Sequence, residues 1–149
     1  MSDTDEFQQV DILLAEDTPT DAEMTIRSLR KRGLANHLVW VKDGAEALDF
    51  LFRRGQYANL PTSKPRLVLL DVKMPRVDGI EVLRQIRHDA QLRAIPVVML
   101  TSSAEERDVL ESYRLGANSY IVKPVDTIDF DKVISDTGLY WMLVNKVPS

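Results

Sequence analysis

Glu16-Asp17, Asp71, Thr101-Ser102 and Lys123-Pro124 lie far apart along the chain, yet each directly follows a short apolar run. If those runs are neighbouring strands, three carboxylates, two hydroxyls and one ammonium meet on a single rim. Crowded carboxylates hold their protons more tightly and cost stability unless positive charge sits among them. Lys123 supplies one such charge. The remaining deficit invites a divalent cation. Oxygen ligands without a neighbouring thiolate or second histidine match magnesium, which takes a couple of carboxylates together with waters and a phosphoryl oxygen.

The runs themselves read as five strands: Asp11 to Ala15, Leu38 to Val41, Leu67 to Leu70, Ile95 to Leu100 and Ser119 to Val122. Most are apolar without polar alternation, the pattern of parallel strands covered on both faces. Between them Ala45, Leu48, Phe50, Leu51 and Phe52, and later Ile80, Val82, Leu83 and Ile86, recur at helical spacing. Strand and helix alternate roughly every thirty residues, the length of a βαβ unit. The expectation is an α/β fold: a five-stranded parallel sheet with helices on both faces. Ligands of such folds bind beyond the carboxyl ends of the strands.

Capping boxes, an N-cap side chain followed three residues later by glutamate, place four helix starts. They pair Thr20 with Glu23, Asp43 with Glu46, Asp78 with Glu81 and Ser103 with Glu106. Gly33, Gly55 and Gly116 mark stops, since glycine takes the left-handed conformation that closes a helix. A fifth helix is expected after Pro124, capped by Asp126 and running toward Asn145, and the Pro-bearing stretch from Gly55 to Pro65 reads as a surface loop.

With 149 residues, 44% hydrophobic and 28% charged, the chain suits one compact domain, here residues 10–147 after a flexible N-terminus at 1–9, with no output domain. A net charge of -4 argues against nucleic acid as a partner. The absence of cysteine removes disulfides, thiolate zinc sites and cysteine nucleophiles together. The acidic start Met1-Ser2-Asp3-Thr4-Asp5-Glu6 is unlike a signal peptide, and no apolar run approaches the ~20 residues of a membrane span, so a cytoplasmic protein without membrane contact is expected.

Taken in order, the rim residues resemble the CheY-like receiver domains of two-component response regulators. The resemblance rests on Glu16-Asp17, the stretch Asp71-Val72-Lys73-Met74-Pro75-Arg76-Val77-Asp78-Gly79, Thr101-Ser102, Tyr120 and Lys123-Pro124. It implies a doubly wound, flavodoxin-like sheet of strand order 2-1-3-4-5. It also implies that Asp71 is the phosphoacceptor. Asp17 and Asp71 would hold Mg²⁺ directly, Lys73 through its backbone carbonyl and Glu16 largely through water. Lys123, the Thr101 hydroxyl and the Ser102 backbone N–H would bind the phosphoryl oxygens. A cis Lys123-Pro124 bond would turn the lysine inward. Thr101 and Tyr120 would form the switch that alters the surface of the fourth helix, fifth strand and fifth helix. Lys73 and Ser103 would tune how long the phosphoryl group lasts.

Within that family, Ala47-Leu48-Asp49-Phe50-Leu51-Phe52-Arg53-Arg54-Gly55, the Pro-bearing loop after it and Tyr140-Trp141 look like the stand-alone regulators of cyanobacterial phytochromes, which implies a phytochrome-type histidine kinase as donor and protein partners for output. The broadly apolar run Leu139 to Val144 suggests a homodimer through the switch surface and the C-terminal helix. Three rival readings fit the residues less well. A haloacid-dehalogenase-like aspartyl-phosphate hydrolase needs a second aspartate where Lys73 stands, and a flavin carrier needs a Gly-rich or Ser/Thr-rich phosphate loop after the first strand. A degenerate receiver working without phosphate sits badly with a complete acidic rim. Asp78, Gly79 and Pro75 are assigned to structure, and His88 to the dipole at a helix C-terminus.

Overall fold

The computed structural model describes residues 10–60, 64–123, 129 and 131–136. In chain order these form β1 (Ile12–Ala15), α1 (Pro19–Arg30), β2 (Leu38–Val41), α2 (Gly44–Leu51), a 3₁₀ turn (Gly55–Tyr57), β3 (Leu67–Leu70), α3 (Gly79–His88), β4 (Val97–Thr101), α4 (Glu106–Arg114) and β5 (Ser119–Val122). A last helical stretch, α5, covers 131–136. The five strands make one sheet in the order β2-β1-β3-β4-β5, every pair parallel. This is the expected doubly wound architecture.

Successive side chains of a strand point to opposite faces, and each face here has its own core. Leu13, Ala15, Val68, Leu70, Val97 and Met99 face Ala47, Leu48, Phe50 and Leu51 of α2 and Val82, Leu83 and Ile86 of α3. Ile12, Leu14, Leu67, Leu69, Val98 and Leu100 face Ala22 and Leu29 of α1 and Ile134 of α5. The unbroken hydrophobicity of the inner strands follows from this double coverage, since β1, β3 and β4 are buried at every position. In register, Ala15 lies beside Leu70, Leu70 beside Met99 and Thr101 beside Val122. The residues that follow each strand therefore emerge together at one edge.

Two of the four expected caps form: Asp43 accepts from the Glu46 N–H and Asp78 from the Glu81 N–H. The other two do not. α1 begins at Pro19, whose fixed φ suits the first helical position, so Thr18 rather than Thr20 is its N-cap. α4 begins at Glu106 after Glu105, because the Ser103 hydroxyl is instead drawn to Asp108 Oδ2 at 2.6 Å. Gly33, Gly55 and Gly116 all adopt positive φ, as their place after helices requires. The start of the expected surface loop is less free than anticipated: the Tyr57 ring packs edge-on to Phe50 at 5.2 Å. The N-terminus 1–9, Pro124, Asp126 and the run Leu139 to Val144 lie outside the described residues. Among the described residues, no helix is long and apolar enough to cross a membrane.

Candidate functional site

β1, β3 and β5 each hand a polar residue to the same rim of the sheet. Glu16 and Asp17 follow β1, and the Glu16 N–H is fixed by the Val41 carbonyl at 3.0 Å. Asp71 follows β3 with its N–H on the Ala15 carbonyl at 3.0 Å, which locks the two acidic turns side by side. Lys123 follows β5, its N–H bonded to the Thr101 carbonyl at 2.8 Å. One carboxylate oxygen each from Glu16, Asp17 and Asp71 lies within 4.8 Å of the others. Glu16 is 1% exposed and Asp71 6%, while Asp17 is open to solvent.

The Lys123 ammonium stands among these acids. It reaches Glu16 Oε1 at 2.5 Å, Asp21 Oδ2 at 2.9 Å and, more loosely, Asp71 Oδ2 at 3.5 Å. Burial works against its charge, but the hydrogen bonds to Glu16 and Asp21 and the field of Asp71 outweigh that, and its pKa is raised. Opposing forces also meet at Glu16. Burial and the adjacent Asp71 favour the neutral acid, Lys123 favours the carboxylate, and the first pair prevails, with the pKa raised from 4.5 to about 8. Among the described residues, four acids, Glu16, Asp17, Asp21 and Asp71, thus gather around one lysine. Oxygen donors alone, one accessible and two buried, suit a hard divalent cation held by a few carboxylates and water.

The supporting shell is built from backbone. Thr18 donates its N–H to Glu16 Oε2 at 3.2 Å, and the Trp40 indole N–H donates to the Glu16 carbonyl at 2.8 Å, pinning the acidic turn from β2. Gly79 opens α3 directly against Asp71: a Cβ there would fall 2.0 Å from the Asp71 carbonyl oxygen, so only glycine fits. The loop between them turns at Arg76, which takes φ of 69°.

Of the remaining residues singled out in the sequence, Thr101 is fully buried at the end of β4, with Oγ1 accepting from the Ser103 N–H at 3.2 Å. Ser102 is exposed in the bend that follows. Tyr120 lies half-buried beside Met99 and donates its hydroxyl to the Ser103 carbonyl at 2.8 Å. The exposed Lys73 pairs with Glu105 at 3.0 Å, joining the loop after β3 to the one after β4. The Lys123-Pro124 bond falls outside the described residues. Two members of the site went unnoticed in the sequence, Asp21 and Trp40. Asp21 looks like an ordinary first-turn acid and Trp40 like a strand aromatic, and only the three-dimensional placement brings either to the rim.

Residues 12–135 match the family model of the response regulator receiver domain. The chain belongs to that family. It is 36% identical over 138 residues to response regulator Rcp1 of Synechocystis sp., covering 93% of this chain and 92% of that protein. The Mn²⁺-bound form of Rcp1 gives a TM-score of 0.84 over 93% of this chain and 98% of that one. The phosphorylated cyanobacterial phytochrome response regulator RcpA, 35% identical, gives 0.86 over 95% and 99%. The bacteriophytochrome response regulator AtBRR is 50% identical, with a TM-score of 0.74 over 93% and 99%. This receiver is thus a response regulator of two-component signalling, similar to those of phytochromes.

Proposed function

We propose that this receiver accepts a phosphoryl group on Asp71 from the phosphohistidine of a phytochrome-type histidine kinase. The observation that carries the reading is the Asp71 carboxylate itself, nearly buried at the end of β3 with the Lys123 ammonium 3.5 Å from Oδ2 and two further carboxylates within ligand spacing. A carboxylate oxygen of Asp71 attacks phosphorus, the P–N bond to the donor imidazole breaks, and the imidazole leaves with its electron pair and takes a proton. The product is a mixed anhydride. Water later attacks the phosphorus and returns inorganic phosphate and the free carboxylate. Little covalent chemistry is asked of the protein, so positioning and charge neutralisation dominate.

Asp17 and Asp71, the Lys73 backbone carbonyl and, largely through water, Glu16 would hold Mg²⁺, which when bound offsets the charge of the transferring group. Lys123, the Thr101 hydroxyl and the Ser102 N–H would take the phosphoryl oxygens. The Tyr120 hydroxyl now rests on the Ser103 carbonyl, so movement of Thr101 toward the phosphoryl group disturbs the segment Tyr120 is anchored to. Lys73, paired with Glu105, and Ser103, bonded to Asp108, would set how readily water reaches the phosphoryl group. Leu110, Tyr113 and Val122 are exposed at 61%, 50% and 43% on α4 and β5, and we assign this surface, with α5, to homodimerisation or partner docking. The chemistry stops at phosphorylation and dephosphorylation of its own aspartate, because the position two residues past Asp71 holds a lysine paired with Glu105 instead of an acid.

Incubation with Mg²⁺ and acetyl phosphate, followed by intact mass and acid-labile phosphate measurement, tests this. One labile phosphate on the wild type and none on Asp71→Asn is expected. Catalytic release of phosphate over many turnovers, or labelling that survives the substitution, would overturn it.

A further inference from the structure

Among the described residues, Asp21 is the one rim carboxylate with no part in the proposed metal or phosphoryl chemistry, yet it makes the second-shortest contact of the Lys123 ammonium. It stands in the first turn of α1, where an acid ordinarily serves the positive end of the helix. Here the α1 turn leaves it free for another task, since the Thr18 N–H is satisfied by Glu16 Oε2. The Asp21 side chain is one-third exposed while that of Lys123 is 8% exposed, so Asp21 reaches the lysine from the solvent side and Glu16 from the interior. The ammonium is thereby shared among three acids and held nearer to two of them than to Asp71.

We propose that Asp21 is a positioning residue that holds Lys123 in the resting site and competes with the phosphoryl group for it. The inference rests on Asp71 being the phosphoacceptor. When an oxyanion occupies Asp71, Lys123 must swing its hydrogen bonds toward it, and the contact with Asp21 is the more exposed and the more easily surrendered. Asp21 therefore lowers the affinity of the site for a phosphoryl-like anion. It raises the affinity for a cation, both by its own charge and by occupying the lysine that would otherwise neutralise Glu16 and Asp71. One residue thus acts in opposite directions on the two ligands.

Removal of an acid that merely stabilised α1 would weaken both ligands together. The test uses the full chain and its Asp21→Asn, Asp21→Ala and Asp21→Glu variants. Mg²⁺ is titrated alone, and beryllofluoride is titrated at saturating Mg²⁺. For the Asn and Ala variants beryllofluoride should bind about two- to fivefold tighter and Mg²⁺ weaker by a similar factor, the range expected of a partly exposed ion pair, and Asp21→Glu should restore both toward wild type. The NMR signal of the Lys123 ammonium in the metal-free protein should shift in Asp21→Asn, whatever the function of Asp71. Parallel weakening of both ligands, or no change in either, would overturn the role of Asp21 while leaving the phosphoacceptor in place. A wild type that binds no beryllofluoride would instead remove the phosphoacceptor reading beneath it.

Discussion

Lowering the pH from about 8.5 to about 6.5 should weaken Mg²⁺ binding roughly 25-fold, through one group. Glu16 is 1% exposed, with its pKa raised to about 8 first by burial and then by Asp71. Glu16 would act largely through a metal-bound water, which donates to the carboxylate and not to the acid, so below that pKa binding is expected to expel a proton. At about pH 6.5 Glu16 is some 97% protonated and at about pH 8.5 about a quarter, and the ratio of carboxylate fractions is about 25. The sign for stability is the reverse. The folded pKa lies above the unfolded one, so the contribution is full below about pH 4.5 and lost as the pH rises through about 8. The metal-free protein should therefore lose stability over that window, and Mg²⁺ should restore it most at the alkaline end. Calorimetric titration in buffers of different ionisation enthalpy counts the protons directly: nearly one released near pH 7, and almost none for Glu16→Gln. Equal Mg²⁺ affinity at both pH values, with no proton release, would refute the reasoning.

Three further outcomes follow from the surrounding shell. Gly79→Ala places a methyl group 2.0 Å from the Asp71 carbonyl oxygen, so thermal unfolding should show a loss of about 1–3 kcal/mol or more, together with weakened Mg²⁺ binding as Asp71 is displaced. Trp40→Phe deletes the indole bond to the Glu16 carbonyl; a loss of about 1 kcal/mol in denaturant unfolding and a few-fold weaker Mg²⁺ affinity are expected, with unchanged affinity arguing that the acidic turn is held by other means. Tyr120→Phe removes the hydroxyl bond to the Ser103 carbonyl, and amide hydrogen exchange in residues 102–105 should rise by up to about fivefold in the resting protein and little in the beryllofluoride complex.

Much of the fold was legible because the sheet is covered on both faces. β2, β3 and β5 coincide with their apolar runs, although only β3 is buried at every position and the edge strands β2 and β5 are partly covered. The helix starts were legible only where the cap is local. Asp43 and Asp78 have no better offer than the N–H three residues on, whereas Ser103 is captured by Asp108 and Thr20 is overtaken by Pro19. In the site, residues after strand ends could be gathered from sequence because a parallel sheet brings all its carboxyl ends to one edge. Asp21 could not. Its partner lies 102 positions away, just past β5, and its spacing from Asp17 matches a common surface acid on a helix. Trp40 was hidden for a similar reason, because the group it serves is a backbone carbonyl, which no pattern of side chains reveals.

The claim on which the whole account depends is that Asp71 forms the acyl phosphate. Borohydride reduction after treatment with Mg²⁺ and acetyl phosphate converts an aspartyl phosphate to homoserine, and peptide mass mapping locates it. Homoserine at position 71 and nowhere else is predicted. Homoserine at another acid, or intact aspartate at 71 in protein that carries acid-labile phosphate, would contradict it.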